Sequence, residues 1–205
     1  MSPEVVDPRS RRVAIAALVV GATLLGITLS VKEGSVAFYA AGFALAGTWA
    51  TAYALAPTPL RPGRRRLVDT ATGLCVGSLM FGVFVAGAWV IGRFNLLDDA
   101  VDELLKTADS SAMGWVLALA GVNAVAEELF FRGTLVDAVQ RRFAVAAGVI
   151  PYVLTTVLSG NVALVIAAAV MGVVFTALRI RTGALTSSIA THLSWSALMI
   201  VFFPR

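Results

Sequence analysis

Two adjacent glutamates lie inside a long apolar run of the sequence, where ionisable residues are unusual. Glu127 and Glu128 fall in the middle of this run, and Arg132 lies at its end. An ionisable side chain at the centre of a bilayer costs about 2.5–3.5 kcal/mol on the insertion scale, so such residues are rare and usually functional. Glu128 and Arg132 are four residues apart, share one helix face and can therefore form an ion pair.

Glu127 has no such partner within its own helix. It is rotated by about 100° from Glu128, so we expect it to face the bundle interior or a wet cavity. A carboxylate in that position can act as a general base that takes a proton from a reacting group. The alternative is a structural role, in which the ion-paired cluster only fixes helix packing. Because replacing a buried ion pair by apolar residues often stabilises a protein, the chemical interpretation is favoured.

His192 is the only histidine in the chain and lies near the middle of the last apolar run. A lone histidine is often a packing residue, but an imidazole inside a membrane span needs polar partners. Counted from the nearest arginines, His192 and the glutamates reach similar depths in the membrane, so we expect them to meet. The chain has a single cysteine, Cys75, which excludes a disulfide framework and a thiolate metal site.

The composition excludes a soluble globular protein. Of the 205 residues, 59% are hydrophobic and 14% are charged, whereas about a quarter of the residues of a soluble domain are charged. The net charge of +4 raises the question of nucleic-acid binding. However, the arginines lie in short gaps between apolar runs, which is typical of charges that set membrane orientation. We therefore expect no nucleic-acid partner.

Seven apolar runs approach the length of about 20 residues that a membrane-spanning helix needs. They cover residues 13–31, 36–56, 70–92, 112–132, 143–160, 162–180 and 184–203. The sequence therefore predicts an all-α polytopic membrane protein with about seven transmembrane helices, surrounded by the lipid bilayer. We expect a three-helix region over 1–111 and a four-helix region over 112–205, which together form one membrane unit.

The basic residues predict how the chain crosses the cell membrane. Twelve of the 16 lysines and arginines fall on one side of the predicted spans, which indicates a cytoplasmic N-terminus and an external C-terminus. The longest external loop is acidic, and the helical spacing of its apolar residues from Leu97 to Leu105 indicates an amphipathic helix on the membrane surface. Gly73 and Gly77 have the small-xxx-small spacing of closely packed helices.

The sequence around the glutamates resembles that of a known family. The stretch Glu127–Gly133 reads Glu-Glu-Leu-Phe-Phe-Arg-Gly, which is similar to the first motif, Glu-Glu-x-x-x-Arg, of the CAAX protease and bacteriocin-processing (CPBP) family, also called abortive-infection proteins. The stretch Gly172–Leu185 and the following His192 resemble the penultimate span of the family, its Arg-Thr-Gly turn and its last motif, His-x-x-x-Asn. The resemblance covers about residues 112–205.

This resemblance implies a CAAX-protease-like helical bundle and an intramembrane endopeptidase that cleaves membrane-associated peptides or proteins. By analogy, Glu127 would activate water, Glu128 and Arg132 would organise the site, and His192 would help to stabilise the oxyanion. Bacteriocin leader processing, envelope-protein maturation and immunity are all open as biological roles.

The chain departs from the family pattern at two places. The middle motif, Phe-x-x-x-His, should fall near residues 155–160, where the chain has no histidine, and the last motif ends in Ser196 instead of asparagine. Ser159 or Asn161 is expected to substitute by hydrogen bonding. A catalytically silent member that acts as a membrane scaffold, or as a subunit of a larger membrane complex, is the alternative.

The family is often labelled a metalloprotease family, but the sequence predicts no tightly bound metal and no other cofactor. A catalytic zinc ion generally needs three protein ligands, and one histidine beside two adjacent glutamates is a poor set. A serine protease that uses Ser159 or Ser196 with His192 would lack the Gly-x-Ser-x-Gly setting and leave both glutamates unexplained. A proton-coupled transporter is disfavoured by the small size and the lack of an internal repeat.

Overall fold

The computed structural model describes residues 8–56, 66–92 and 113–203, and these residues form helices with no strand among them. The prediction of an all-α protein with about seven long helices is confirmed. The helices are α1 (Pro8–Ser30), α2 (Val36–Leu55), α3 (Arg66–Gly92), α4 (Met113–Glu127), α5 (Ala144–Val157), α6 (Val162–Thr182) and α7 (Leu185–Phe202).

Two short segments complete the described backbone. A π-helical segment, Glu128–Leu135, continues α4 without a break, and a 3-10 turn, Arg141–Phe143, precedes α5. The fourth predicted run therefore extends as helix beyond its expected end at Arg132. By contrast, α5 ends at Val157, three residues earlier than predicted, because the chain turns at Gly160, which has a positive φ of 71°.

Five helical stretches are long and apolar enough to cross a membrane: Arg9–Ser30, Arg66–Val90, Met113–Leu135, Val162–Thr182 and Leu185–Phe202. The other two long helices, α2 and α5, are not among them. With 14 residues, α5 spans about 21 Å, less than the hydrocarbon thickness of about 30 Å. By length and composition, these stretches indicate an integral membrane protein.

An aromatic cluster forms the centre of the bundle. Trp49 of α2 stacks on Phe130 with ring centroids 4.7 Å apart and contacts Phe131 at 5.0 Å. All three side chains are at most 2% exposed. Since Phe130 and Phe131 belong to the π-helical segment, this cluster holds the segment against α2.

Close packing joins α3 to α7, as the spacing of Gly73 and Gly77 predicted. A Cβ atom at Gly73 would lie 2.6 Å from the Cβ of Ala190, and one at Gly77 would lie 2.6 Å from the carbonyl oxygen of Thr191. Both distances leave no room for a methyl group, so these glycines allow the helix backbones to approach one another.

A left-handed glycine makes the sharp turn from α6 into α7. Gly183 has a φ of 72° and donates its backbone N–H to the carbonyl oxygen of Arg179 at 2.9 Å. This αL cap ends α6, and α7 begins two residues later. The predicted surface helix around 97–105 lies outside the described residues.

Candidate active site

The π-helical segment contains two of the four predicted site residues and directly follows a third. Glu128 and Arg132 lie within it and are 0% exposed, while Glu127 is the last residue of α4 and is half-buried. Single π-helical turns inside α-helices occur frequently at functional sites. The change of helical pitch begins between the two glutamates, and Glu127 lines a cavity whereas Glu128 is enclosed.

Glu128 contacts two basic side chains through a single oxygen. Its Oε1 accepts a hydrogen bond from Nη1 of Arg132 at 3.0 Å and lies 3.2 Å from Nδ1 of His192. The i,i+4 ion pair expected from the sequence is therefore present. His192 comes from α7, is 6% exposed and reaches the glutamates as predicted. The structure thus brings Glu127, Glu128, Arg132 and His192 together.

The Glu128 contact also determines which ring nitrogen of His192 remains for chemistry. When Nδ1 carries a hydrogen and donates it to Glu128, Nε2 is free to interact in the cavity that His192 lines. The ring packs on Phe175 with centroids 4.9 Å apart. Hydrogen bond and ring contact together fix the orientation of the imidazole.

Aromatic rings surround the guanidinium group of Arg132. Its Cζ atom lies 4.4 Å from the ring centroid of Tyr152, 5.2 Å from that of Phe175 and 5.9 Å from that of Phe131. Cation–π attraction stabilises a guanidinium group against such faces. Nε and Nη2 have no hydrogen-bond partner within the described part of the protein. The positive charge of Arg132 is therefore held in place without being fully neutralised.

Glu127 faces a cavity of about 150 Å³. The walls of this cavity are mainly apolar, and its polar side chains are Glu127, Tyr152, Thr155, Thr156, Trp195 and His192. Tyr152 and Glu127 line this cavity together. A carboxylate and an imidazole on the wall of one small cavity are the groups that general acid–base chemistry requires.

The residues expected to replace the missing motif histidine do not reach the cavity. Ser159 donates its hydroxyl to the carbonyl oxygen of Thr156 at 2.6 Å, and Oδ1 of Asn161 accepts the N–H of Leu164 at 3.0 Å. Both side chains thus make local hydrogen bonds in the turn that joins α5 to α6. Ser196 is half-buried and is also absent from the cavity wall.

Sequence reasoning missed three residues that do line the cavity. Tyr152, Thr155 and Thr156 are spaced i, i+3, i+4 and form one face of α5. Their signal was weak, because threonine and tyrosine are common within apolar helices. In hindsight, the polar pair of adjacent threonines in an otherwise apolar run marked this face.

A second ion pair, in which only the arginine is buried, lies just after the π-helical segment. Arg179 of α6 binds both carboxylate oxygens of Asp137 through Nη2, at 2.9 and 2.7 Å. Its Nε donates to the carbonyl oxygen of Arg132 at 3.2 Å. Arg179, which the sequence analysis counted among the orientation charges, is 8% exposed. It ties α6 to the backbone of a site residue.

The residues at the site do not fit a zinc ion. Oε1 of Glu128 already binds Arg132 and His192. No group of three histidine, cysteine, aspartate or glutamate side chains that could hold a metal occurs within the described ranges. A catalytic zinc ion takes three protein ligands, so no step of the chemistry is assigned to a metal.

Residues 109–198 match the family model of the Rce1-like type II CAAX prenyl endopeptidases. This segment, which is less than half of the chain, is therefore similar to an Rce1-like domain. No curated protein and no solved structure matched the chain.

The matched segment includes α4, α5, α6 and most of α7, with the residues Glu127, Glu128, Arg132 and His192. The cavity wall extends beyond the matched segment, because Leu25 of α1 and Trp49 of α2 also line it.

Proposed function

We propose that the protein is a glutamate-dependent intramembrane endopeptidase that hydrolyses peptide bonds of membrane-associated peptides or proteins. The observation that carries this proposal is the position of Glu127, a half-buried carboxylate on the wall of a cavity of about 150 Å³ next to the Glu128–Arg132–His192 network. A purely structural ion pair would not require an additional carboxylate beside a cavity.

In the proposed reaction, Glu127 takes a proton from a water molecule as the water oxygen attacks the carbonyl carbon of the scissile bond. The carbonyl oxygen becomes negatively charged, and Nε2–H of protonated His192 stabilises it by donating a hydrogen bond. When the C–N bond breaks, Glu127 returns the proton to the leaving amine. Glu128 accepts a hydrogen bond from Nδ1 of His192 and thereby holds the imidazole ring in place.

Arg132 supports this chemistry without touching the substrate in our proposal. Its guanidinium group binds Glu128 at 3.0 Å and holds the carboxylate where it orients His192. The aromatic faces around Arg132 exclude water from the ion pair, which strengthens its electrostatic interactions. This arrangement keeps the two glutamates in different roles, with Glu128 paired and Glu127 available.

We further propose that the protein resides in the cell membrane with its N-terminus in the cytoplasm and its C-terminus outside. The distribution of lysines and arginines supports this orientation. Cysteine labelling tests it in a Cys75→Ser background. Lys32→Cys, between α1 and α2, should react with a membrane-impermeant maleimide added to intact cells, whereas Arg181→Cys should react only after permeabilisation. The reverse pattern would contradict the orientation.

The endopeptidase activity is tested by a fluorogenic prenylated CAAX peptide and by mapping of protein termini in cells. We expect wild-type protein in lipid nanodiscs to cleave the peptide, or cells to contain new termini in membrane proteins. Glu127→Gln should abolish both signals while leaving the protein folded. Glu33→Gln, which removes a glutamate between α1 and α2, serves as the control and should retain them.

The same experiment distinguishes the catalytically silent alternative. Termini and peptide cleavage that do not change in Glu127→Gln would contradict the proposed enzyme and favour a scaffold or partner subunit. Termini that depend on Glu127 would also identify the substrates, and would separate bacteriocin leaders, envelope proteins and immunity-related proteins as substrate groups.

A further inference from the structure

Two threonine residues lie on the wall of the cavity that Glu127 faces. Thr155 and Thr156 are 5% and 6% exposed, and both line the cavity. They lie on the same face of α5 as Tyr152, which lines the cavity together with Glu127. The catalytic chemistry proposed above uses neither threonine.

The hydrogen bonds of these threonines fix how they can interact with a bound molecule. Thr155 donates its hydroxyl hydrogen to the carbonyl oxygen of Tyr152 at 2.8 Å, and Thr156 donates to that of Val153 at 2.8 Å. A hydroxyl group has one donor hydrogen and two acceptor lone pairs. Because the hydrogens are used by the backbone, both oxygens can act only as acceptors toward the cavity.

An attacking water molecule needs such acceptors. One of its hydrogens must point to the general base, and its second hydrogen needs another acceptor so that a lone pair remains free for attack. A donor beside the water would instead bind that lone pair and weaken the nucleophile. A buried water usually makes two to four hydrogen bonds and needs roughly 10–15 Å³, so a cavity of about 150 Å³ has ample room for it.

We propose that Thr155 and Thr156 position the water that Glu127 deprotonates, by accepting its second hydrogen. This inference rests on the proposed function. It assigns to two adjacent hydroxyls the task that Ser159 and Asn161 were expected to perform. Ser159 and Asn161 make their hydrogen bonds at the turn after α5, whereas the threonines lie on the cavity wall.

Isosteric variants test the hydroxyls through catalysis. Thr155→Val and Thr156→Val remove an oxygen but keep the branched shape. Since one neutral hydrogen bond is worth about 1 kcal/mol, we expect kcat on the fluorogenic peptide to fall about five- to tenfold in each variant and further in the double variant. KM should stay within about twofold, because the lost interaction acts on the reacting water and not on substrate binding.

Two further variants separate positioning from packing. Thr156→Ser restores the hydroxyl and should recover most of the kcat that Thr156→Val loses. Thr28→Val is a matched control, since Thr28 of α1 is also buried, donates to the carbonyl oxygen of Leu24 at 2.7 Å and lies away from the cavity wall. Its kcat should equal that of the wild type.

A second readout does not depend on activity. Because His192 is the only histidine and lines the same cavity, magnetisation transfer from water to its ¹⁵N-labelled ring reports cavity hydration. We expect this transfer in the wild type and in Thr28→Val. It should be strongly reduced in the Thr155→Val/Thr156→Val double variant, whose cavity has lost two acceptors.

The two readouts distinguish this inference from the proposed function. If the valine variants retain wild-type kcat while Glu127→Gln is inactive, the inference is wrong and the endopeptidase stands. If wild type is inactive or Glu127→Gln retains activity, the proposed function fails. Magnetisation transfer from water to His192 tests the position of the water independently of activity. An unchanged signal in the double valine variant overturns the assignment of the water to the threonines, and a lost signal supports it.

Discussion

Glu128 and His192 are 64 residues apart in sequence, yet Oε1 of the glutamate lies 3.2 Å from Nδ1 of the histidine. The same oxygen accepts the hydrogen bond from Arg132 at 3.0 Å. The imidazole therefore depends on an ion pair formed within another helix, and loss of either charge of that pair changes the environment of His192.

A double-mutant cycle on the ion pair should show strong coupling. Removal of one partner from a buried ion pair costs about 3–5 kcal/mol, because the other charge remains buried and unpaired. We expect Glu128→Gln and Arg132→Met each to lower the thermal unfolding midpoint. The midpoint of the double variant should be no lower than that of the less stable single variant. The measurement is thermal unfolding in detergent micelles.

The cycle needs a comparison outside the site. Asp69→Asn removes an acidic residue in the first turn of α3 and should change the midpoint little. If the effects of Glu128→Gln and Arg132→Met simply add in the double variant, the two side chains do not act as a pair in the folded protein.

The ring of His192 should have a defined tautomer. With Nδ1 bound to Glu128, we expect the ¹⁵N spectrum of the neutral ring to show the hydrogen on Nδ1. Glu128→Leu removes the acceptor and should shift the population toward the Nε2–H form. Because the chain has one histidine, the signal needs no assignment. An Nε2–H tautomer in the wild type would contradict the proposed hydrogen bond.

Arg179 should affect activity although it lies outside the cavity. Its bidentate ion pair with Asp137 and its hydrogen bond to the Arg132 carbonyl fix the end of the π-helical segment. Lysine cannot make these three contacts at once. We therefore expect Arg179→Lys to lower kcat on the fluorogenic peptide about tenfold, which corresponds to about 1.4 kcal/mol of transition-state stabilisation.

Arg181→Lys is the matched control for this effect. Arg181 follows two residues later, is exposed and also lies in the last turn of α6. Its variant should behave like the wild type, because a lysine retains the charge that matters at the membrane surface. Equal kcat values for Arg179→Lys and Arg181→Lys would show that the contact with the π-helical segment has no catalytic consequence.

The four charged or ionisable site residues could be predicted because an apolar environment makes them conspicuous. Each of Glu127, Glu128 and His192 is costly in a membrane span, and the pairing of Glu128 with Arg132 needs only local helix geometry. The few ionisable residues within the predicted spans were therefore enough to predict that α4 and α7 are neighbours.

The remaining features depend on packing that the sequence does not reveal locally. The π-helical segment forms where Phe130 and Phe131 stack on Trp49, a contact between helices that are distant in sequence. Likewise, the rotation of α5 about its axis determines that Thr156 lines the cavity and that Ser159 does not. An almost uniformly apolar helix gives no periodic signal for its rotation.

The contact of α3 with α7 should set the position of His192. Gly77 lies against Thr191, the residue before the histidine, and against the hydroxyl of Ser194. A methyl group at Gly77 would meet the Thr191 carbonyl oxygen at 2.6 Å, a backbone atom that cannot rotate away. Gly77→Ala should therefore push the two helices apart, lower the thermal unfolding midpoint and reduce kcat several-fold.

Gly82→Ala on the same helix provides the comparison, because nothing lies within 4 Å of a Cβ atom at that position. Alanine is the better helix former by about 1 kcal/mol, so Gly82→Ala should keep full activity and the same or a higher midpoint. The contrast between the two variants isolates helix separation from helix propensity. If Gly77→Ala is as stable and active as Gly82→Ala, α3 does not hold α7 and His192 in place.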